Sequence, residues 1–172
     1  PNWAGRIGIA KPLFGTTATH AACLFAKLGP DRARGLLDAI KANDVQVEGG
    51  NRTCAVKVGA GQLAFALTDT DDAIEEVNAD HPVQIVYPDN TKDGMGVLLL
   101  PNTLALIKDC PHPDAGARLI DYLLSAEVEA KLANGPSAQI PLNKKCDAKS
   151  RAVGAVKLHA MNSGCTAANP MH

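Results

Sequence analysis

Two short polar stretches in the first half of the chain carry the residue types best suited to binding a ligand. The first is Gly15, Thr16 and Thr17, which follow a Pro/Gly turn and open a predicted helix with hydroxyl and backbone N–H donors. Unpaired N–H groups and the positive end of the helix dipole make such a start an anion site, suited to phosphate, carboxylate or carbonate. The alternative is that Thr16 or Thr17 only caps the helix.

The second stretch, TDTDD, runs from Thr68 to Asp72 and is rich in carboxylates. Asp69 and Asp71, with Thr68 and Thr70, offer oxygen ligands that suit an ammonium group or a metal ion. The spacing lacks the glycine and the distal glutamate of an EF-hand loop, so it predicts no particular metal, and a metal ion bound with an anion stays one alternative. Another is that one residue caps the following helix and the rest only favour its positive end.

The elements on either side predict that the two stretches face one hollow. Arg6–Ala10 precedes the first stretch and Leu63–Leu67 the second, and both are short runs typical of strands that lead into helices. The second run has no polar residue, as expected for a strand covered on both faces. Because ligands of open α/β sheets bind at the carboxyl ends of parallel strands, both stretches should line the same crevice.

The rest of the pattern predicts an α/β fold, with an open mixed sheet and helices on both faces. Strands are expected over residues 44–48 and 82–87, and short extended runs follow between residues 96 and 108. The predicted helices are Asp31–Asn43, Arg52–Val58 with Asn51 as a plausible cap, Ala73–Ala79, one that starts near Pro113, Ala126–Ala133 with Ser125 as its cap, and Asp147–Met161.

Composition excludes several classes of protein. A formal net charge of -1 and a pI near 6.6 argue against a nucleic-acid partner, which normally requires a basic stripe. No apolar run reaches the length of a membrane span. The chain opens with Pro1, so we expect either that a leader has been removed or that this is part of a longer protein. The five cysteines show no zinc-ligand spacing, and Cys23 is expected to be a small core residue.

Enzyme chemistry has one candidate pair. His20 lies one helical turn beyond Thr16 and could act with Asp69 or Asp71 as an acid/base pair, although a histidine on a helix face is more often simply packed or solvated. The chain has no nucleophile elbow, phosphate-binding Walker loop or HExxH motif. We therefore predict a binding protein with no catalytic residues and no cofactor.

Several segments together resemble a known family. They read GRIGIAKPLFGTT, GAGQLAFALTDTDDA, PVQIVYPD, GVLLLPNTLALIKDCPHPDAGARLIDYLLSAEVEAKLA and QIPLN. This succession is similar to the extracellular solute-binding proteins of ABC importers, particularly the two-lobed (type II) group that includes the ferric-iron-binding periplasmic proteins. The likeness extends as far as Asn143, and the remaining residues match poorly.

The resemblance implies a function and a site. A solute would be held in a cleft between two α/β lobes and delivered to an ABC importer permease from the periplasm or the extracellular surface. Gly15, Thr16 and Thr17 match the helix start that holds an anion in the iron-binding members. Thr70 and Asp71 fall near the paired tyrosine ligands of those members, so a zwitterion, a phosphonate-like solute or a metal–anion pair with carboxylate ligands is expected instead of tyrosinate-bound iron.

The resemblance also implies a domain organisation. Residues 1–93 would form the ligand-binding lobe, residues 94–143 a segment that returns to a first lobe absent here, and residues 144–172 a C-terminal helix and tail. Members of this family are much longer, so the chain looks truncated to the second lobe. Apolar faces left uncovered would then drive formation of a homodimer or a domain swap. The competing interpretation is an interaction or scaffold protein that has lost its cleft.

Overall fold

A three-stranded parallel sheet, with strand order β2-β1-β3, lies at the centre of the first hundred residues. In the computed structural model, which describes residues 3–154, 156–159 and 161, the strands are β1 (Ile7–Ala10), β2 (Gln46–Glu48) and β3 (Phe65–Leu67). Both neighbours run parallel to β1. The sheet of the described residues is therefore parallel and not mixed as predicted, and its three carboxyl ends share one edge.

Four helices follow these strands. Helices α1 (Gly15–Leu28) and α2 (Pro30–Ala42) connect β1 to β2, α3 (Asn51–Gly59) connects β2 to β3, and α4 (Thr70–Asn78) follows β3. The two connections run in opposite directions along the sheet. Because crossovers between parallel strands are right-handed, they place the α1–α2 pair and α3 on opposite faces. Helices on both faces agree with the prediction.

Close packing of small residues joins α3 to the sheet. Helix α3 contacts all three strands. At the middle of β1, a Cβ on Gly8 would lie 2.5 Å from Cδ1 of Leu63 and 3.2 Å from Cβ of Ala66, so any larger residue would displace the Leu63 side chain. The side chains of Cys54 and Cys23 are fully buried, which confirms Cys23 as a core residue. Burial raises the pKa of the Cys54 thiol to about 11, so it is unreactive at neutral pH.

Three predictions on secondary structure and burial are wrong. Residues 82–87 form no strand, and residues 147–154 hold a turn and irregular chain where a helix was expected. Gly154 has a φ of 55°, a left-handed conformation that ends any helix. After Gly154, His159 and Met161 form backbone hydrogen bonds with Val97. Phe65 is 43% exposed, so β3 is not covered on both faces. The tail from residue 162 onward lies outside the described residues.

The chain divides into two compact units, Pro1–Leu100 with Leu158–His172, and Pro101–Lys157. The second unit holds α5 (Pro113–Leu123) and α6 (Ala126–Asn134), and Ser125 caps α6 as predicted by accepting a hydrogen bond from the N–H of Val128. Helix α5 buries none of its residues. No helix in the described part of the chain is long and apolar enough to cross a membrane. The functional boundaries after residues 93 and 143 stay predictions.

Candidate functional site

A cleft of about 290 Å³ opens at the carboxyl edge of the sheet, where the loops after β1, β2 and β3 meet. Its lining residues are Ala10, Lys11, Phe14, Gly15, Thr16 and Thr17 from the first loop, Gly49, Gly50 and Asn51 from the second, and Asp69 from the third. The two predicted stretches thus lie at the same edge and touch. The hydroxyl of Thr16 donates a hydrogen bond to Oδ2 of Asp69 at 3.0 Å.

Asn51 links the three loops, a role that the sequence analysis missed. Its side-chain Nδ2 donates to Oγ1 of Thr16 at 2.8 Å and to Oδ2 of Asp69 at 2.6 Å, and its Oδ1 accepts from the hydroxyl of Thr17 at 3.2 Å. Its backbone carbonyl accepts from the hydroxyl of Thr68 at 3.0 Å. Asn51 is the first residue of α3 and Gly50 holds the N-cap position, so the predicted capping role is wrong.

The threonines of the first loop do not cap α1. Phe14 occupies the N-cap position, and no side chain accepts a hydrogen bond there. Gly15 has a φ of 66°, which glycine adopts without strain and which turns the chain sharply into the helix. The Phe14 side chain offers no acceptor to the first-turn N–H groups of α1, and the Thr16 and Thr17 hydroxyls donate to the other two loops. This arrangement keeps the helix start suited to an anion.

Asp69 holds the N-cap position of α4, yet its carboxylate makes no capping hydrogen bond. Both of its hydrogen bonds, from Thr16 and Asn51, go to the same oxygen, Oδ2. Within the described residues, Oδ1 of Asp69 has no hydrogen-bond donor. This oxygen can accept a hydrogen bond from a positively charged group in the cleft.

Of the three acidic residues in this stretch, Asp69 lines the cleft, whereas Asp71 and Asp72 are not among its lining residues. Carboxylate oxygens of Asp69, Asp71 and Asp72 all lie within 4.8 Å of one another, close enough to offer three ligands to a metal ion. Burial, then the charges of Asp71 and Asp69, raise the pKa of Asp72 to about 6. Thr70 is the first residue of α4 and does not line the cleft.

The structure does not bring together the acid/base pair considered from sequence. Among the described residues, His20 makes no hydrogen bond or ion pair with Asp69 or Asp71. It is half-buried on α1, and burial lowers the pKa of its imidazole from the ordinary value.

A different hollow, of about 440 Å³, lies at the amino edge of the sheet and is lined in part by Trp3, Arg6 and Gly61. The Trp3 ring packs edge-on against Phe65, with ring centroids 5.9 Å apart. The lining of this hollow includes none of the residues that the sequence predicts to bind a ligand. The cleft at the carboxyl edge is therefore the candidate site.

Several known periplasmic and binding proteins are similar to this chain. A putative 2-aminoethylphosphonate-binding periplasmic protein of Salmonella typhi is 24% identical over 102 residues, which cover 59% of this chain and 30% of that protein. Its counterpart in Salmonella typhimurium is 25% identical over 96 residues, covering 56% and 28%. A putrescine/agmatine-binding protein of Pseudomonas aeruginosa is 43% identical over 53 residues, covering 27% and 14%. The chain thus spans less than a third of these relatives, and no solved structure matches significantly.

The family comparison covers far more of the chain. The model of the bacterial extracellular solute-binding proteins matches residues 3–158, which include every strand and helix described above. The Salmonella relatives are named as periplasmic proteins. The chain therefore belongs to the bacterial extracellular solute-binding proteins and is a protein of the periplasm or the extracellular surface.

Proposed function

We propose that this chain supplies the solute-binding surface of an ABC importer receptor, and that its cleft holds a small solute carrying an ammonium group and an anionic group. The observation that carries the proposal is the meeting of Thr16, Asn51 and Asp69 at the start of three helices. One edge of the sheet thereby presents both kinds of partner that a zwitterion needs.

The anionic group is assigned to the helix starts. Helices α1 and α3 begin beside the cleft, and the N-cap residue of each, Phe14 and Gly50, makes no side-chain capping hydrogen bond. Their first-turn N–H groups and dipoles favour negative charge. Gly15 and Gly50, which line the cleft, leave the backbone accessible because they carry no side chain.

The ammonium group is assigned to Asp69. Its Oδ2 is fixed by Thr16 and Asn51, and its Oδ1 faces no donor among the described residues. The names of the relatives support this choice. 2-Aminoethylphosphonate carries an amine and a phosphonate, whereas putrescine and agmatine carry amines without an anion. The group common to these ligands is the amine, for which a carboxylate is the natural partner.

A metal ion bound with an anion is the second ligand class we retain. Asp69, Asp71 and Asp72 can offer three oxygen ligands, and hard divalent cations prefer carboxylates. Tyrosinate-bound ferric iron is not proposed, because neither tyrosine of the chain, Tyr87 or Tyr122, is among the residues that line the cleft.

Isothermal titration calorimetry tests the proposal with four probes: 2-aminoethylphosphonate, putrescine, inorganic phosphate and ethylphosphonate. We expect 2-aminoethylphosphonate to bind best and ethylphosphonate, which lacks the amine, to bind more weakly. The Asp69→Asn variant should weaken binding of both amines by about 1.5–3 kcal/mol, the usual value of a hydrogen bond to a charged group. Asp38→Asn, an equal change of charge on the exposed face of α2, is the matched control.

Two results would contradict the assignment. Equal affinity for ethylphosphonate and 2-aminoethylphosphonate would remove Asp69 from amine recognition. The absence of heat with all four probes, combined with binding of Ca²⁺ or Zn²⁺ in the presence of carbonate, would favour the metal–anion pair instead.

The alternative of an association module has one observation in its favour. Helix α5 buries no residue, and Leu119, Tyr122 and Leu124 are each more than half exposed. Apolar side chains grouped in this way favour association with another copy of the chain or an exchange of elements. Size-exclusion chromatography with light scattering separates the two ideas, because a stable monomer that binds solute supports the receptor and a dimer without binding supports the alternative.

A further inference from the structure

We infer that Glu76 is a positioning residue for the cleft: its buried carboxylate fixes α3 against α4 and so sets the contact between Asn51 and Asp69. Glu76 is 4% exposed, and it is the one charged side chain that is buried in the described part of the chain. The inference rests on the proposed function for its consequence in binding, but its structural part is independent of any ligand.

The two carboxylate oxygens of Glu76 have separate partners. Oε1 lies 3.1 Å from Nη1 of Arg52, in the first turn of α3, and Oε2 lies 2.7 Å from Nδ1 of His81, which follows α4. At the last residue of α3, a Cβ on Gly59 would overlap Oε2 of Glu76. One side chain of α4 therefore contacts α3 near both of its ends. Contacts at both ends fix the position of one helix along the other.

Arg52 carries this constraint to the candidate site. The same Nη1 lies 3.1 Å from Oε2 of Glu75 and donates to the backbone carbonyl of Asp72 at 3.2 Å. Arg52 directly follows Asn51, and Asp72 lies in the first turn of α4, which begins after Asp69. The starts of the two helices are thus held together exactly where Nδ2 of Asn51 and Oδ2 of Asp69 form their 2.6 Å hydrogen bond.

Burial explains why Glu76, and not the neighbouring Glu75, fixes α3 against α4. A buried carboxylate that loses its partners is left without compensating charge, so the surrounding helices must keep the geometry that satisfies it. Glu75 also pairs with Arg52, but its side chain is 43% exposed and water can replace the guanidinium. A binding site needs its side chains held to within about 0.5 Å, which an exposed ion pair does not enforce.

The test compares Glu76→Gln with Glu75→Gln in the full 172-residue chain. The first readout is the NMR signal of the Asn51 side-chain amide, which requires no ligand. The second is the affinity for 2-aminoethylphosphonate by calorimetry. We expect Glu76→Gln to shift the Asn51 amide signal and to weaken binding by about 2- to 30-fold, the usual range for coupling through packed elements. Glu75→Gln should change both far less.

His81→Gln is the second variant, because His81 contacts Oε2 of Glu76 beside Gly59, at the opposite end of α3 from Asn51. It should shift the Asn51 signal in the same direction, and it decides the question if Glu76→Gln does not fold. The inference would be overturned if Glu76→Gln or His81→Gln folds and its Asn51 signal moves no more than in Glu75→Gln. It would also be overturned if the unmodified chain binds 2-aminoethylphosphonate and these variants bind it with the same affinity. If the signal shifts and the unmodified chain binds no probe, the proposed function fails and the structural inference stands.

Discussion

Replacing Asn51 by alanine should destabilise the first unit more than truncation of any other half-buried polar side chain in it. The side chain makes three hydrogen bonds, two as donor to Thr16 and Asp69 and one as acceptor from Thr17. Each of these partners belongs to a different loop from Asn51 itself. The substitution therefore removes the contact that joins the loop after β2 to the loops after β1 and β3.

The size of the effect follows from the kinds of bond that are lost. A hydrogen bond between neutral groups contributes about 1 kcal/mol and one to a carboxylate about 2 kcal/mol, so the three together set a ceiling near 4 kcal/mol. The network is only part-buried, as each of its bonds is. Water can replace some of the lost donors and acceptors at small cost. We expect a loss of about 2 kcal/mol in the free energy of unfolding.

Urea unfolding followed by tryptophan fluorescence measures this loss in the right part of the molecule. Trp3 is the single tryptophan of the chain and packs against Phe65 of β3, so its signal reports on the first unit. Asn43→Ala is the matched control: the Nδ2 of Asn43 makes one solvent-exposed hydrogen bond, to the carbonyl of Ala39 at 2.8 Å. We expect it to cost about 0.5 kcal/mol.

The isosteric variant Asn51→Asp separates hydrogen bonding from shape. It places a second carboxylate beside Asp69, so it should destabilise at pH 7.5 and recover as the pH falls and one of the two becomes protonated. If Asn51→Ala costs no more than Asn43→Ala, the three loops are held together by packing, and the central role given to Asn51 is refuted.

Three further predictions concern the fold and its charges. Gly8→Ala should cost about 1–3 kcal/mol, because its Cβ would meet Leu63 Cδ1 at 2.5 Å, whereas Gly35→Ala on α2 meets nothing and should gain up to about 1 kcal/mol in urea unfolding. The pKa of Asp72 is raised from 3.8 to about 6 in the folded protein, so ionisation of this carboxyl lowers the stability as the pH rises from 4 to 6. Asp72→Asn should therefore raise the free energy of unfolding by about 1 kcal/mol at pH 7.5, after allowance for solvent screening. Below pH 4 it should change nothing. Ser125→Ala should lose about 1 kcal/mol, measured by far-ultraviolet circular dichroism, because Val128 loses its capping acceptor.

Local signals predicted most of the helices of this chain. The helix starts at Gly15 and after Ser125 were correct to the residue, since glycine, capping hydroxyls and apolar periodicity act over a few residues. The failures at residues 82–87 and 147–161 have a different cause. A strand exists only where another segment pairs with it, and a helix yields where the chain finds a better partner elsewhere, as the segment after Gly154 does with Val97. Single-sequence patterns do not contain that information.

The candidate site shows the same division between local and non-local information. That the stretches around Thr16 and Asp69 would meet was predictable, because parallel strands bring their carboxyl ends to one edge whatever the details of packing. Asn51 was missed because an asparagine after two glycines is most often a helix cap. The available signal was that residues 44–48 were expected to form a strand, so the residues after it belong to the same edge.

The missed residue also explains why the cleft has a definite shape without a ligand. The side chains of Thr16, Thr17, Asn51 and Asp69 satisfy one another across three loops. A polar network of this kind is stable only when its members are paired, so each loop limits the conformations of the other two. A solute that enters such a cleft pays little to order the protein, because most of that entropy was lost on folding. Oδ1 of Asp69, which has no donor among the described residues, and the starts of α1 and α3 then remain as the groups that can distinguish one solute from another.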